Sequence, residues 1–235
     1  METKHRPTIL ITNDDGVDAP GIKLLIELLK PYGNLIVVAP DRGQSAKSHA
    51  ITLHGPLYLN KLRDEEGLKI YSSNGTAVDC TKLALNEIMD KKPDFLFSGI
   101  NHGTNSSISI IYSGTMGAAL EGCIHGIKSV GFSVLDYSPN PDFSVVRKFG
   151  DEIIKRIITT DIMPEGACIN VNFPDVKPKK INGIKVCRQA KSSWIEEFEK
   201  RQDHENREYF LLKGYFKNHE PDAKDTDDWA LKNKF

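Results

Sequence analysis

Cysteine is scarce and dispersed in this 235-residue sequence, and long apolar runs are missing. The four cysteines form no C-x-x-C pair, which argues against both a disulfide framework and a zinc ribbon. No run approaches the roughly 18 apolar residues of a membrane helix, and the start METKHRPT has no signal-type apolar segment. Charge of one sign is missing as well, since 31 basic and 32 acidic side chains nearly cancel. We therefore expect a soluble cytoplasmic protein, with no membrane association and no stable nucleic-acid partner.

What the sequence does contain is a regular alternation of apolar and amphipathic segments. The predicted strands are residues 8–12, 35–39, 69–72, 94–98 and 129–135. The predicted helices are residues 21–32, a segment capped by Asn74 or Thr76, a segment from about residue 115 to 126, and residues 143–158. Strands joined by crossover helices indicate an α/β fold with a doubly wound, mostly parallel sheet.

The composition of the chain changes at residue 177, after which charged residues are more frequent and apolar runs are rarer. We predict a catalytic core over residues 1–176 and a C-terminal extension over residues 177–235. Strand-like pieces are predicted at 51–53, 57–59, 181–187 and 209–212. Residues 194–208 are too charged for a core element, so they form either a solvated hairpin or helix, or an arm that packs on a partner subunit.

Polar loops follow three of the predicted strands, at the edge where open parallel sheets bind ligands. Asp14 and Asp15 follow the first strand, and Ser45 lies in the loop after the second. The third loop runs from Ser98 through Asn101 to the start of a helix near Thr115. Each loop alone could be an ordinary turn or helix cap, and the third could also bind an anion at the helix N-terminus.

Together these loops offer two carboxylates, a hydroxyl and an amide oxygen, a set suited to Mg²⁺ or Mn²⁺ rather than to zinc. A cation facing an anion-binding loop is the arrangement that phosphoryl transfer to water needs, because the cation acidifies water and offsets phosphate charge. His102 and His49 lie in or near these loops, and each could act as an acid or base, hydrogen-bond the backbone or line a pocket.

Five motifs then identify a family. TNDDGVDAPGI, VVAPDRGQSAKSHAITL, NGTAVDC, SGINHGTN and YSGTMGAALEG, in this order and spacing, resemble the SurE family of survival proteins. The match is dense over residues 8–122 and thinner to about 175. The resemblance implies a Rossmann-like core, a metal-dependent phosphatase of nucleoside 5'-monophosphates, and a homodimer or homotetramer. It also implies activity on some other phosphomonoesters and on short polyphosphate.

Carried over by position, the resemblance places one divalent cation, Mg²⁺ or Mn²⁺, on Asp14, Asp15, Ser45 and Asn101. It places the phosphate on Asn105, Ser113, Gly114 and Thr115. The implied catalytic residues are Asp14, Asn105 and Ser113, with Asp14 orienting the attacking water, although either aspartate could be the base.

Two features depart from the family pattern. QSAKSHA stands where the family often reads QSGxGxSHS, which brings Lys47 to the pocket mouth and puts the substrate preference in question. Residues 226–231 resemble the family's late TDxxA segment, whereas the sequence ends at Phe235, before the closing strand that the resemblance implies.

Two other functions compete with a phosphatase. A receiver-like signalling module also carries an acidic pair after its first strand, but it needs a phosphoacceptor aspartate and a lysine at strand ends where this sequence has Asn101 and SVGFSVLDYS. The second alternative is a homologue that binds nucleotide without hydrolysing it.

Overall fold

The computed structural model of the protein describes residues 6–138, 140–160, 162–164 and 166–235. A seven-stranded sheet of order β3-β4-β2-β1-β5-β6-β7 forms its centre. Only the β3–β4 pair is antiparallel, and every other neighbouring pair of this sheet is parallel. The strands are β1 Thr8–Thr12, β2 Asn34–Pro40, β3 Leu59–Glu65, β4 Leu68–Ser73, β5 Phe95–His102, β6 Lys128–Val134 and β7 Cys168–Phe173.

Helices cover both faces of this sheet, as the alternation of segments predicts. They are α1 Pro20–Leu29, α2 Ala77–Leu83, α3 Gly114–Ile124, α4 Ser144–Thr159 and α5 Asp227–Lys232, with short 3₁₀ turns at Ser107–Tyr112 and Pro178–Lys180 and a π-helical turn at Ala84–Ile88. Successive residues of β1 point to opposite faces, so Ile9 and Ile11 pack with α1 and α4. Leu10 packs with α2 on the other face. The predicted α/β class and mostly parallel sheet are confirmed.

The helix termini that flank the candidate site are fixed by short polar contacts. Of the two predicted caps for α2, Thr76 is the one used, and it forms a capping box with Asp79. Ser113 caps α3, because its hydroxyl accepts a hydrogen bond from the backbone N–H of Met116 at 3.0 Å.

A separate antiparallel hairpin follows the sheet. Its strands are β8 Ser192–Gln202 and β9 Glu208–Asn218, paired along their whole length. The charged segment 194–208 is therefore part of a hairpin and not a helix. The division of the chain into a core of residues 1–176 and an extension of residues 177–235 stays a prediction. Residues 1–5 of the predicted core lie outside the described part of the chain.

Other local predictions need correction. Residues 181–187 form no strand, because Gly183 has a φ of +138° and the backbone N–H of Asn182 bonds the distant carbonyl of Lys234. Residues 51–53 form no strand either, since the N–H of Thr52 donates to the Asp79 carboxylate. Strand β7 has no counterpart among the predicted elements. In the described ranges, no helix has both the length and the apolar character needed to cross a bilayer.

Candidate active site

Three loops meet at the carboxyl ends of neighbouring strands β2, β1 and β5. The loop after β2 is fixed to the first loop by a hydrogen bond of 2.6 Å from the N–H of Gln44 to the backbone carbonyl of Asp14. On the other side, the N–H of His102 donates to the Asp15 carboxylate at 3.3 Å. The acidic pair therefore lies between the other two loops, as the sheet order requires.

Asp14 is the most enclosed carboxylate of this group, with 3% of its surface exposed. The hydroxyl of Thr115 donates to its Oδ1 at 2.5 Å. A Cβ at Gly114 would lie 2.8 Å from its Oδ2, so only glycine lets the start of α3 approach this closely. Burial, and then repulsion by Asp15, raises the pKa of Asp14 to about 6. Burial also raises the pKa of Asp15.

The two other predicted metal ligands flank the acidic pair. Ser45 is exposed and directly follows Gln44, whose N–H bonds the first loop. Asn101 is half-buried at the end of β5, and its Nδ2 donates to the carbonyl of Gly103 at 2.8 Å. This bond fixes the amide and leaves its Oδ1 as the atom suited to a cation.

Among the predicted phosphate-binding residues, Thr115 hydrogen-bonds Asp14 and Gly114 lies against its carboxylate. Asn105 is buried, and its Nδ2 donates to the hydroxyl of Ser133 at 2.8 Å. Ser113 caps α3 with an oxygen lone pair, which leaves its O–H free to donate.

Residues that sequence reasoning did not find hold Asn105 in place. The side chain of Asn172 accepts from the Asn105 N–H at 3.0 Å, and that of Asn170 donates to the Asn105 carbonyl at 2.8 Å. Both lie on β7, two residues apart, so they share a face of the strand. The one signal that the sequence offers for them is the pair of asparagines in CINVNF, a segment without a counterpart among the predicted strands.

The two histidines have different surroundings. His102 packs its ring 5.7 Å from that of Phe143, and burial lowers its pKa, so it favours the neutral form. His49 is held by Glu121 of α3 through an Nε2–Oε2 contact of 2.8 Å. Glu121 also accepts from Lys82 of α2, so His49 belongs to a hydrogen-bonded cluster that anchors the second loop.

The chemistry of these donors fits a hard divalent cation. In the described part of the chain, no lysine or arginine pairs with Asp14 or Asp15, so two adjacent carboxylates lack a balancing charge. The described part of the chain also contains no group of three or more acidic, histidine or cysteine side chains that could hold a metal. A cation here would therefore complete its shell with hydroxyl, amide and water oxygens, which Mg²⁺ and Mn²⁺ accept.

Comparison with known proteins agrees with this arrangement. The family model described as "Survival protein SurE" matches residues 9–196. The chain belongs to the SurE family. It is 49% identical to "5'-nucleotidase SurE" of Flavobacterium johnsoniae over 98% of this chain and 89% of that protein. The corresponding protein of Christiangramia forsetii is 50% identical over 99% of this chain and 89% of its own length.

A solved member of the SurE family has the same fold. The crystal structure of the SurE protein from Aquifex aeolicus superposes with a TM-score of 0.82 and 36% sequence identity, covering 97% of this chain and 90% of that one. The resemblance drawn from the five motifs is thus confirmed at the level of the family and the fold. It also leaves the receiver-like alternative without support.

Proposed function

We propose that this SurE protein is a 5'-nucleotidase that hydrolyses nucleoside 5'-monophosphates to nucleoside and phosphate, using one divalent cation, Mg²⁺ or Mn²⁺. Relatives at 49–50% identity carry the name 5'-nucleotidase. The observation that carries the proposal is the acidic pair of buried Asp14 and half-buried Asp15 beside the N-terminus of α3, because it combines a cation site with an anion site.

Each loop has a part in this mechanism. Asp14, Asp15, Ser45 and Asn101 would hold the cation, which on binding acidifies water and offsets the charge of the phosphoryl oxygens. Asp14 orients the attacking water by accepting a hydrogen bond, and Thr115 fixes the rotamer of that carboxylate. The water oxygen bonds to phosphorus and gives up one proton, the ester P–O bond breaks, and the nucleoside 5'-oxygen leaves as a hydroxyl with one proton, so that the water supplies both the new P–O bond and the proton of the leaving group.

The phosphate is oriented by the third loop and by α3. The N-terminal N–H groups of this 11-residue helix point toward an anion, and the helix dipole adds positive potential there. Ser113 donates its hydroxyl hydrogen to a phosphoryl oxygen. Asn105 is held rigidly by Asn170 and Asn172, which lowers the entropy that its contact with the phosphate would cost.

The replacement Asp14→Asn tests this proposal. It preserves the size of the side chain but removes the charge that holds the cation, so Mn²⁺-dependent phosphate release from AMP should fall by roughly 100-fold or more. The matched control is Asp18→Asn, since Asp18 lies four residues away with its carboxylate exposed. That control should retain full activity, and both variants should keep the far-UV circular dichroism of the parent.

A SurE protein that binds nucleotide without hydrolysing it gives a different result. A single-turnover assay with enzyme in excess over radiolabelled AMP separates the two functions. Release of labelled phosphate, abolished by EDTA and restored by Mn²⁺, supports the phosphatase. Bound and unreacted AMP would establish the binder and overturn the proposal.

Three finer properties complete the proposal. Other phosphomonoesters and short polyphosphate are further substrates, because the site recognises a phosphoryl group first. A cytoplasmic location agrees with four free cysteines. A homodimer or homotetramer agrees with the exposed apolar side chains of the hairpin, among them Phe198 and Leu212.

A further inference from the structure

A cleft with aromatic walls lies beside the third loop, and we call it the Trp194 cleft. It has a volume of about 310 Å³, which is in the range of small-ligand sites. Its walls include Thr104, Ser106, Tyr137, Trp194, Phe216 and Leu231. None of these residues belongs to the predicted metal, phosphate or catalytic set.

The Trp194 cleft is connected to the acidic pair through the backbone of the third loop. The N–H of His102 bonds Asp15, and Thr104 in the cleft wall comes only two residues later. The Cα atoms of these two residues can be at most about 7 Å apart. Thr104 and Ser106 flank Asn105, and their hydroxyls bond each other at 2.7 Å. One short loop thus faces the predicted phosphate position and also forms a wall of the cleft.

Three aromatic rings contribute to the other walls, beside Leu135, Asp228, Leu231 and Lys232. Tyr137 lies against Gly103, where an added Cβ would come within 2.5 Å of the ring, and its hydroxyl accepts from the N–H of Thr104 at 3.2 Å. Trp194 and Phe216 are a cross-strand pair of the hairpin with ring centroids 6.2 Å apart, edge to face. Trp194 remains 40% exposed, so part of its ring is available to a ligand.

The position of Trp194 is fixed relative to the third loop. Two residues before it, the Ser192 hydroxyl accepts a hydrogen bond of 3.0 Å from the N–H of Ile108. This bond ties the base of the hairpin to the 3₁₀ turn that follows Asn105. The cleft therefore needs no movement of the hairpin to form.

We infer that the Trp194 cleft binds the nucleobase of the substrate, with Trp194 as the principal stacking residue. A base has a planar π-face that stacks on aromatic rings, and its polar edge can meet the hydroxyls of Thr104, Ser106 and Ser109. This inference rests on the proposed function, because it takes the phosphate to lie at the acidic pair.

A second cavity, of about 570 Å³, is a less suitable base site. It lies between α4, β7 and residues 181–189, and its walls are mainly aliphatic. No residue from 99 to 107 lines it. It reaches the predicted phosphate position through Asn170 and Asn172, whose side chains bond the backbone of Asn105.

Hydrolysis rates of one substrate that carries a nucleobase and one that lacks it test the inference. AMP and ribose 5-phosphate share the phosphate and the sugar, but only AMP carries a base. Trp194→Ala should lower kcat/KM for AMP by roughly 5- to 100-fold, mainly through KM, and change that for ribose 5-phosphate less than twofold. Trp194→Phe should restore most of the loss. Tyr215→Ala, on the opposite face of the hairpin, should leave both substrates unchanged.

Fluorescence locates the base without relying on turnover. The chain has two tryptophans, so Trp229→Phe leaves Trp194 as the only one. In EDTA, adenosine, which carries the base without the phosphate, should quench this emission saturably, and ribose should not. Quenching by adenosine without Mn²⁺-dependent hydrolysis of AMP or ribose 5-phosphate would refute the phosphatase and retain the base site. Absence of quenching, or an equal loss of kcat/KM for both compounds in Trp194→Ala, would overturn the inference.

Discussion

Asp14 is a buried carboxylate that no cationic side chain of the described residues balances. Its hydrogen bond from Thr115 lowers its pKa, but burial and the neighbouring Asp15 outweigh that bond and raise the pKa to about 6. Without a cation, the ionised form of Asp14 therefore weakens the folded state. The same feature that makes the site bind a cation makes the metal-free protein less stable.

The loss of stability that ionised Asp14 causes in the metal-free protein should depend on pH. The pKa of Asp14 is about 6 when folded, above the usual 3.8, so the neutral form favours folding. That contribution is fully present below pH 3.8 and is lost as the pH rises through 6. The difference between the pKa of about 6 in the folded protein and the usual 3.8 corresponds to up to about 3 kcal/mol of folding free energy. In EDTA, Asp14→Asn should therefore raise the free energy of unfolding at pH 8 by up to about 3 kcal/mol, and should change it little near pH 4.

Urea unfolding at the two pH values measures this difference. Asp18→Asn is the control, because Asp18 is exposed and its replacement should not change the pH dependence. An Asp14→Asn protein that is no more stable than the parent at pH 8 would contradict the argument. Excess Mn²⁺ should reverse the order of stabilities, because only the parent binds the ion well.

Single residues of the site were predictable where chain order alone decides their place. Asp14 and Asp15 follow a buried strand, and such positions lie at the ligand-binding edge of a parallel sheet. Asn170, Asn172 and Ser133 could not be found in this way, because they touch Asn105 from strands that lie 28 to 67 residues further along the chain. Only the register of β5, β6 and β7 brings them together.

Among the elements, the short helix α5 carries the contacts that connect the C-terminal segment to the third loop. Asp227 at its start accepts hydrogen bonds from the N–H and the hydroxyl of Ser107, at 2.7 and 2.9 Å. It also accepts from the N–H of Ala190 at 3.0 Å. This carboxylate thus joins the C-terminal segment to the loop that carries Asn105.

Removal of this junction should affect both stability and catalysis. Asp227→Ala leaves three backbone donors, the N–H groups of Ser107, Ala190 and Asp228, without this acceptor, so the free energy of unfolding should fall by about 2–3 kcal/mol. The value of kcat should fall as well, because Ser107 follows Asn105 by two residues. Urea unfolding and AMP hydrolysis measure the two effects. Asp222→Ala, an exposed aspartate of the same segment, is the control, and an equal response of both variants would refute the role of the junction.

Helices and strands were predictable from the sequence where residues close in the chain determine them, and not where a distant residue does. Strands β1, β2, β4, β5 and β6 and helices α1 to α4 follow from apolar periodicity, and Thr76 is one of the two caps that the local sequence offers for α2. The segment 181–187 has strand-like composition, but its backbone partner is Lys234, more than 50 residues away. Sequence pattern alone does not show such a partner.

For the molecule as a whole, the main feature that the core does not explain is the hairpin. Its two 11-residue strands extend roughly 35 Å, and a two-stranded ribbon is only marginally stable alone in water. One of its faces carries Phe198, Phe210 and Leu212, each more than half exposed. Covering these side chains by a second copy of the chain would remove apolar surface from water, which supports the proposed homodimer or homotetramer.

A single charge on that face tests the assembly. Leu212 lies opposite Phe198 in the ladder, so Leu212→Asp places a carboxylate at the centre of the apolar face. Tyr215→Asp is the matched control, because Tyr215 is exposed to a similar degree, 55% against 63%, on the other face. Sedimentation equilibrium should show a multiple of 26.3 kDa for the parent and the control, and the monomer mass for Leu212→Asp. A monomeric parent would refute self-association, whereas an equal effect of both variants would show that the apolar face is not the contact.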